Sequence, residues 1–387
     1  MLLSESSPRA FFARFAEIYG GTRDVFLMNP QWSADQRREA ERLAAAFAAR
    51  SRDGGSGRVF VASGGSGGKI RFVSHAPRTF EASARALIRA LKLPAGTPLH
   101  CFACLPPWHV GGLMPFVRSR VSGGKLFAAE SFGFHEGDAL PKFRGGASEF
   151  WMNSLVPTQL RRLLARRDGA AWLRGFDFIL LGGAAVPADL LDAAEREKLP
   201  LGVGYGMTET ASLVALWRLG DAPPRLAGTP LPHAKIALNG ADARIALAAE
   251  SLGEMLLDDG ALAPNPGGVF LTNDEGELLP DGRLLVRGRA DRHVNSGGEK
   301  IDPLIVEDAL RACGAAAAMV VGEPDAEWGA RVVALVVPPF PDDLAARLRE
   351  RLPAFMLPKR FVAVPALPLD AKGKLDRDAL ARALKIS

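Results

Sequence analysis

Short apolar runs and amphipathic stretches of helical length alternate along the chain between residues 58 and 197. The predicted elements are strand 58–62, helix 80–91, strand 98–105, helix 157–166, strand 176–181 and helix 188–197. Strands that alternate with helices favour a largely parallel sheet with helices packed on it. A further amphipathic helix is predicted over 31–50, with Ser33 or Asp35 as its N-cap.

Two later regions of the chain have different patterns of predicted secondary structure. Short strands and turns from Gly228 to Val286 predict a β-rich subdomain. Residues 292–387 predict a compact α+β unit with the order Gly-rich turn 296–298, helix 303–312, strands 316–321 and 330–337, helix 342–351. A chain of 387 residues is too long for one hydrophobic core. We therefore predict an α/β protein with domains at 1–290 and 291–387: a large N-terminal domain of mixed and parallel sheets layered with helices, and a small α+β C-terminal domain.

Composition limits the class of protein. A hydrophobic fraction of 48% with 24% charged residues is typical of a folded protein. The apolar run from Val332 to Phe340 is too short to span a bilayer, and the N-terminus lacks the pattern of a secretory signal, so we expect a cytoplasmic protein without a membrane partner. A net charge of +5 suits anionic small substrates. Signatures of nucleic-acid binding are lacking, so no nucleic-acid partner is expected.

Three cysteines, Cys101, Cys104 and Cys313, are too few for a disulfide framework. Cys101 and Cys104 have the spacing of a metal or redox pair, but a zinc site needs four ligands. The pair lies in an alternating, strand-like run. We predict buried structural cysteines.

A glycine-rich segment, Ser63-Gly-Gly-Ser-Gly-Gly-Lys69, follows the strand at 58–62. Glycines let backbone N–H groups turn toward a phosphate, and Lys69 and the hydroxyls add charge and donors. Ser66 also matches a hydrolase nucleophile pattern, but that pattern requires a helix next and residues 70–73 predict a strand. The segment is not a Walker A loop either. A flexible glycine turn is an equal alternative.

Three other segments suit a nucleotide. Tyr205-Gly-Met-Thr-Glu-Thr210 offers a ring for a base, hydroxyls for phosphate and, in Glu209, an oxygen ligand for Mg²⁺. It follows an apolar approach, and ligands of open α/β sheets bind at strand ends. The glycine pair in 181–187 could lie against a flat base, although a plain turn is equally expected. Asp274 could bridge ribose hydroxyls, or it could be an ordinary turn aspartate.

The order of these segments over residues 58–380 resembles the adenylate-forming superfamily of acyl- and aryl-CoA synthetases, adenylation domains and luciferases. The resemblance also rests on Arg289-Ala-Asp291, on 293–301 and on the final segment 368–377. Within the superfamily, the segments most similar to the o-succinylbenzoate–CoA ligases of menaquinone biosynthesis are 105–113, 154–164, 180–187, 205–212 and 296–299.

The resemblance implies an AMP-forming acid–thiol ligase that uses ATP, Mg²⁺, coenzyme A and a small carboxylic acid. The residues that it assigns to ATP and its metal are Ser63, Ser66, Gly68 and Lys69 for the phosphates, Gly183 and Ala184 with Tyr205 for adenine, Thr208 for the α-phosphate, Glu209 for magnesium, and Asp274 with Arg289 for ribose. Gly206 is assigned to cofactor binding without a separate role. On this resemblance the enzyme makes an acyl-adenylate first and a thioester second.

The remaining roles concern the acid, the thiol and the C-terminal domain. The resemblance implies that Lys374 is the catalytic lysine, that Asp291 is the hinge of a mobile domain 291–387, and that His109 lies between the acid pocket and the thiol tunnel. Gly297 and Gly298 would line the pantetheine path. Position in the sequence makes Arg118 and Arg120 candidates for a second carboxylate of the acid, with a surface arginine as the alternative for each.

Several positions depart from the pattern of the superfamily, namely Gly67, Ile70, Arg71, Asn273 and Arg292. The region before the glycine-rich segment is also shorter than usual, so part of the usual N-terminal subdomain is expected to be missing. Rival functions are another acid–CoA ligase, a free-standing adenylation enzyme, a non-catalytic nucleotide-binding protein and, remotely, a serine hydrolase built on Ser66. A monomer or a homodimer is expected.

Overall fold

The computed structural model describes residues 1–50, 57–64, 70–129, 139–142, 149–240, 242–369 and 376–385. The chain forms two compact units. The large unit contains residues 1–239, 246–271 and 278–285, and the small unit contains 240–245, 272–277 and 286–387. The domain boundary between residues 290 and 291 stays a prediction. None of the described helices has the length and apolar character needed to cross a membrane.

The helices that sequence periodicity predicts are confirmed, with bounds that shift by up to three residues. The described helices are α1 (Pro8–Ile18), α2 (Ala34–Arg50), α3 (Pro77–Ala90), α4 (Val110–Ser122), α5 (Pro157–Ala165), α6 (Gly169–Leu173), α7 (Ala188–Arg196), α8 (Pro303–Ala312), α9 (Leu344–Arg349) and α10 (Arg377–Lys385). Ser33 is confirmed as the cap of α2, because its hydroxyl accepts from the Gln36 N–H at 3.2 Å and the Gln36 side chain accepts from the Ser33 N–H at 3.1 Å.

The described strands are two to nine residues long. They are β1 (Leu2–Leu3), β2 (Val25–Leu27), β3 (Val59–Gly64), β4 (Ile70–His75), β5 (Leu99–Ala103), β6 (Leu126–Ala128), β7 (Phe150–Leu155), β8 (Phe178–Leu181), β9 (Leu201–Met207), β10 (Ser212–Arg218), β11 (Ala227–Pro230), β12 (Ala234–Leu238), β13 (Arg244–Ala249), β14 (Glu254–Leu256), β15 (Leu262–Ala263), β16 (Phe270–Leu278), β17 (Leu284–Arg289), β18 (Val294–Ser296), β19 (Glu299–Ile301), β20 (Ala317–Asp325), β21 (Gly329–Val337) and β22 (Arg360–Ala363).

The predicted parallel sheet is confirmed in the large unit. Strands β6, β5, β7, β8 and β9 pair in parallel, and the order continues through the antiparallel strands β10 and β11. All residues of β5 and β8 are buried, as expected where helices cover both faces of a parallel sheet. The carboxyl ends of β7, β8 and β9 lie at one edge of the sheet, where ligands of such sheets bind.

A second sheet of the large unit has the order β1-β2-β3-β4-β14-β15. Strands β3 and β4 form an antiparallel hairpin in which Ser63 pairs with Arg71 and Gly64 with Ile70. The prediction that residues 70–73 form a strand is confirmed. Because the next described residues, Ile70–His75, form a strand and not a helix, they do not fit the strand–turn–helix architecture of a hydrolase nucleophile.

The N-terminal residues are packed into the core of the large unit. The Ser7 hydroxyl accepts from the Ala10 N–H at 3.5 Å and Pro8 occupies the first turn, so α1 begins with a cap and a residue of preset φ. The rings of Phe12 and Phe15 lie 6.3 and 5.1 Å from the ring of Phe116 in α4. Removing a buried phenylalanine ring typically costs about 3–5 kcal/mol, so this cluster ties α1 firmly to α4.

The prediction of buried structural cysteines is confirmed. Cys101, Cys104 and Cys313 are buried and free. The Cys104 thiol donates to the Asn153 side-chain oxygen at 3.3 Å. Burial raises the pKa of Cys101 to about 12, and the thiol therefore stays protonated and unreactive.

The small unit has its own sheet and core. Strands β19, β18, β21 and β20 are neighbours in that order, and β22 pairs in parallel with β21. Helix α8 begins at a cap in which Asp302 accepts from the Leu304 N–H at 2.9 Å. Its buried Val306 and Leu310 pack with Val320 and Val332 of the sheet. The predicted compact α+β unit is confirmed.

Candidate functional site

The glycine-rich hairpin contacts the loop after β9. The Ser63 hydroxyl, near the tip of the β3–β4 hairpin, donates to the Glu209 carboxylate at 2.7 Å. These two residues are 146 positions apart in the sequence. The structure therefore brings together a residue predicted for phosphate and the residue predicted for magnesium.

A tight turn between β9 and β10 positions Thr208 and Glu209. The Thr210 hydroxyl accepts from the Met207 N–H at 3.0 Å and donates to the Ser212 carbonyl at 2.6 Å, which closes the turn. Ala211 and Ser212 have φ values of 48° and 94°, a region that residues other than glycine seldom occupy. Strained backbone of this kind is concentrated at functional sites.

A buried histidine contacts the same turn. His75, the last residue of β4, is fully buried, and its Nε2 lies 2.8 Å from the Thr208 carbonyl oxygen. Its Nδ1 lies 3.0 Å from the Thr79 hydroxyl. Burial lowers the pKa of His75 from an ordinary value near 6.5 to about 4, so the ring is neutral around pH 7.

This lowered pKa predicts acid sensitivity of the fold. Between pH 6.5 and pH 4 the unfolded chain takes up a proton on His75 that the folded chain does not, so the free energy of unfolding falls as the pH falls. The loss over this window is expected to be about 3 kcal/mol. Denaturant unfolding at pH 7 and pH 4.5 measures it. His75→Gln should remove this part of the pH dependence, and an unchanged dependence in that variant would contradict the assignment.

Arg118 in α4 is a buried cation. It is 1% exposed, and its two terminal nitrogens donate to the hydroxyls of Ser154 and Ser212 at 3.1 Å each. Within the part of the chain that the structure describes, no carboxylate pairs with it and its Nε has no hydrogen-bond partner. Desolvation lowers the pKa of Arg118 to about 10, so the guanidinium remains charged near pH 7. A buried charge without a counterion is costly, and an anionic ligand would remove that cost.

The other predicted residues of the large unit lie around the parallel sheet that contains β8 and β9. His109, partly buried, is the residue before α4. Gly183 and Ala184 are exposed directly after β8, and Tyr205 and Gly206 lie in β9 at the same edge of the parallel sheet. Arg120 is exposed, and its guanidinium carbon lies 6.0 Å from the centre of the Tyr19 ring.

The small unit holds a second group of predicted residues. An Arg289 guanidinium nitrogen lies 3.7 Å from the Asp274 carboxylate, so the predicted ribose pair is brought together. Gly297 and Gly298 are exposed in the turn between β18 and β19, both with positive φ. A Cβ on Gly297 would lie 2.7 Å from the ring of Trp328. Asp291 lies in a short turn after β17, and its side chain is outside the described part of the structure.

The predicted residues Ser66, Gly68, Lys69 and Lys374 lie outside the described residues. Their assigned roles stay predictions.

Comparison with known families identifies the chain. The family described as AMP-binding enzyme matches residues 60–264, more than half of the chain. This chain belongs to the AMP-binding enzyme family. The AMP-binding enzyme C-terminal domain matches residues 306–374, so this AMP-binding enzyme carries both parts in the expected order. The predicted superfamily is confirmed.

Among curated proteins, this AMP-binding enzyme is 34% identical over 322 residues to the 2-succinylbenzoate–CoA ligase of Salmonella typhimurium, covering 82% of this chain and 66% of that protein. It is 31% identical over 302 residues to the indoleacetate–CoA ligase of Aromatoleum aromaticum, covering 71% of this chain and 57% of that protein. The chain thus spans less than two thirds of the length of these relatives.

Solved structures confirm the predicted fold. The o-succinylbenzoate CoA synthetase of Bacillus subtilis in complex with its acyl-adenylate intermediate aligns with a TM-score of 0.77 at 21% identity, covering 98% of this AMP-binding enzyme and 87% of that chain. The same synthetase with ATP and magnesium ion aligns with a TM-score of 0.76 at 21% identity, covering 98% and 88%. At this identity the likeness concerns the fold.

Proposed function

We propose that this protein is an ATP-dependent, AMP-forming acid–CoA ligase that acts on 2-succinylbenzoate in menaquinone biosynthesis. The observation that carries the proposal is the hydrogen bond between Ser63 and Glu209, because it joins the glycine-rich hairpin to the carboxylate loop. Membership of the AMP-binding family and the names of the relatives support the reaction and the acid.

The residues at this contact suit magnesium. Glu209 is partly buried, and its carboxylate and the Ser63 hydroxyl are oxygen donors, which Mg²⁺ prefers. We propose that Glu209 holds the ion, which when bound would neutralise part of the triphosphate charge. Ser63 keeps the carboxylate oriented, and Thr208 lies beside it to contact the α-phosphate.

The first step joins the acid to AMP. An oxygen of the substrate carboxylate attacks the α-phosphorus, a new P–O bond forms, and the bond to pyrophosphate breaks. Because carboxylates are weak nucleophiles, the protein contributes positioning and charge neutralisation. We assign charge neutralisation to Lys374 by the resemblance. Tyr205, Gly206, Gly183 and Ala184 would hold adenine, and Asp274 with Arg289 would hold ribose.

The second step transfers the acyl group. The thiol sulfur of coenzyme A attacks the acyl carbon and forms the C–S bond, the thiol proton is released to water, and AMP leaves with the electrons of the broken C–O bond. His109, Gly297 and Gly298 are proposed to line the thiol path. Because Lys374 would occupy the site during the first step, residues 291–387 are proposed to swing about Asp291 between the steps.

The choice of acid rests on Arg118. 2-Succinylbenzoate carries a ring carboxylate besides the one that is activated, and this second anion needs a cation in the pocket. Arg118 is a charged group in the core without a carboxylate partner among the described residues, whereas Arg120 is exposed. We propose that Arg118 binds the ring carboxylate.

Replacing Gly297 with alanine tests the thiol path. A side chain there would have to adopt a φ of 61° and would press on the Trp328 ring at 2.7 Å. We expect thioester formation from supplied acyl-adenylate to fall about tenfold or more, because a displacement of about 1 Å can cost that much or more. The rate of ATP–pyrophosphate exchange should change by less than about twofold, which is small beside the tenfold loss expected for thioester formation.

Gly282→Ala is the matched control, because Gly282 also has a positive φ, of 83°, but has no atom within 4 Å of its would-be Cβ. It should leave both half-reactions unchanged. Equal losses of both half-reactions in Gly297→Ala would contradict a separate role for this turn.

Incubation with ATP, magnesium, coenzyme A and 2-succinylbenzoate, followed by mass detection of the thioester and AMP, tests the function. Indoleacetate and other aryl acids in parallel test the acid, because one relative is an indoleacetate–CoA ligase. Pyrophosphate exchange without formation of a thioester would favour a free-standing adenylation enzyme. Nucleotide binding without pyrophosphate exchange would favour a non-catalytic nucleotide-binding protein. Light scattering of the same sample distinguishes a monomer from a homodimer.

A further inference from the structure

Two consecutive carbonyl groups of the turn after β9 are held by main-chain and side-chain donors from other elements. The Thr208 carbonyl oxygen lies 2.8 Å from His75 Nε2, and the Glu209 carbonyl oxygen accepts from the Gly253 N–H at 2.9 Å. His75 is in β4 and Gly253 directly precedes β14, its antiparallel neighbour in the sheet. The backbone on either side of the proposed metal residue is therefore fixed to the sheet that carries the glycine-rich hairpin.

The tautomer of His75 follows from its partners. A carbonyl oxygen can only accept, so Nε2 must carry the ring proton and donate it to Thr208. Nδ1 is then an acceptor that lies 3.0 Å from the Thr79 hydroxyl, whose single proton is also within reach of the Ala76 carbonyl oxygen at 2.8 Å. Both ring nitrogens have partners, which fixes the direction of the Nε2–H bond.

Gly253 must be a glycine for this arrangement. A Cβ at this position would lie 2.6 Å from His75 Cε1 and 2.8 Å from His75 Nε2. It would also lie 2.5 Å from a methyl carbon of Val73. The Gly253 carbonyl in turn accepts from the Asn265 side-chain amide at 2.8 Å. The histidine and the glycine thus form one packed unit behind the turn.

We propose that His75, packed against Gly253, is a positioning residue that holds the Thr208–Glu209 backbone so that the Glu209 carboxylate stays in place for magnesium-bound ATP. This inference rests on the proposed function. His75 itself does not touch the nucleotide in this scheme and acts through the Thr208 carbonyl. Its effect should therefore appear in the magnesium-dependent part of ATP binding.

Two near-isosteric substitutions separate the ring nitrogens. In His75→Gln the amide nitrogen takes the place of Nε2 and can still donate to Thr208, whereas in His75→Asn it takes the place of Nδ1 and cannot reach that carbonyl. We expect the dissociation constant of MgATP, measured by calorimetry, to rise about tenfold in His75→Asn and in His75→Leu. In His75→Gln it should stay within about threefold of the unsubstituted protein. ATP binding measured in EDTA should change little in all three.

His100→Leu is the matched control. His100 is also buried in the large unit, and its Nδ1 accepts from a main-chain N–H, that of Lys125, at 2.9 Å. It lies in β5, which β7 and β8 separate from β9 in the order of the sheet. Its loss should leave MgATP affinity unchanged, and thermal unfolding followed by circular dichroism shows which variants are folded.

The results separate this proposal from the proposed function. If the unsubstituted protein does not bind MgATP, the proposed function fails. If it binds MgATP and folded His75→Asn or His75→Leu binds it equally well in the presence of magnesium, the positioning role fails alone. Equal losses in His75→Gln and His75→Asn would also overturn it, as would failure of all His75 variants to fold, because His75 would then serve the fold.

Discussion

Glu209→Gln is expected to lower ATP–pyrophosphate exchange by about 100- to 1000-fold, the usual cost of removing a preorganised charge-stabilising group from an active site. The amide oxygen can still accept from the Ser63 hydroxyl, which lies 2.7 Å from the carboxylate, so the local structure should persist. What is lost is the negative charge that we propose for magnesium. The exchange rate measured across a magnesium titration should therefore show a higher magnesium requirement.

Glu250→Gln is the control for this substitution, because Glu250 is an exposed acid of the same unit. The two variants have the same change in net charge, and only Glu209→Gln should lose exchange. The expected loss is about 100-fold or more. If the exchange rate of Glu209→Gln stays within about threefold of the unsubstituted protein, this carboxylate does not hold the metal.

Arg118→Met is expected to raise the KM for 2-succinylbenzoate by about 100- to 1000-fold or more, since a buried charge pair that loses one partner costs roughly 3–5 kcal/mol. The comparison substrate is 4-oxo-4-phenylbutanoate, which lacks the ring carboxylate. Its KM should hardly change, because the proposed partner of Arg118 is missing from it. Steady-state kinetics with both acids gives the selectivity as a ratio.

Two controls accompany the Arg118→Met variant: its thermal stability and a substitution of the neighbouring Arg120. Replacing a buried guanidinium with an apolar side chain of similar length is often neutral or stabilising, so Arg118→Met should keep its thermal stability. Arg120→Met removes the exposed arginine two residues away and should not alter the selectivity. If Arg120→Met instead abolishes discrimination between the two acids, the roles of these arginines are reversed.

Elements whose signals are local could be predicted from the sequence. Helix α8 has the bounds predicted for it, because Asp302 and Pro303 mark its start and Gly314 follows its end. Strand β12 lies within residues 228–286, the segment predicted to contain short strands. The parallel sheet followed from the order of strands and helices, which fixes topology without any distance information.

Helices α1, α4, α6 and α10 were not predicted, and the reason for α4 is its position in the core. Residues 112–119 of α4 are all buried, so it lacks the polar stripe that reveals an amphipathic helix. It also contains Gly111, Gly112 and Pro115, which weaken a helical signal. For α1, Ser7 followed by Pro8 was an available start signal.

The candidate site likewise has features that the sequence predicted and features that it did not. The sequence indicated which residue types could meet a nucleotide, but the contact between Ser63 and Glu209 joins positions 146 residues apart and depends on the packing of two sheets. Arg118 is buried and Arg120 is exposed, and a separation of two positions in the sequence does not reveal this difference. His75 carried one usable signal, a titratable side chain at the end of a strand, shortly after the apolar pair Phe72-Val73.

The aromatic cluster of the N-terminal helix has a consequence for how selectivity could be altered. Phe116, which Phe12 and Phe15 contact from α1, lies two residues before Arg118 on α4. Volume changes in a close-packed interior are transmitted to neighbouring groups. Repacking the first twenty residues with larger or smaller rings is therefore expected to shift α4 and with it the Arg118 guanidinium. If Arg118 binds the acid as proposed, libraries randomised there offer a route to altered acid preference without changing any residue proposed to contact a ligand.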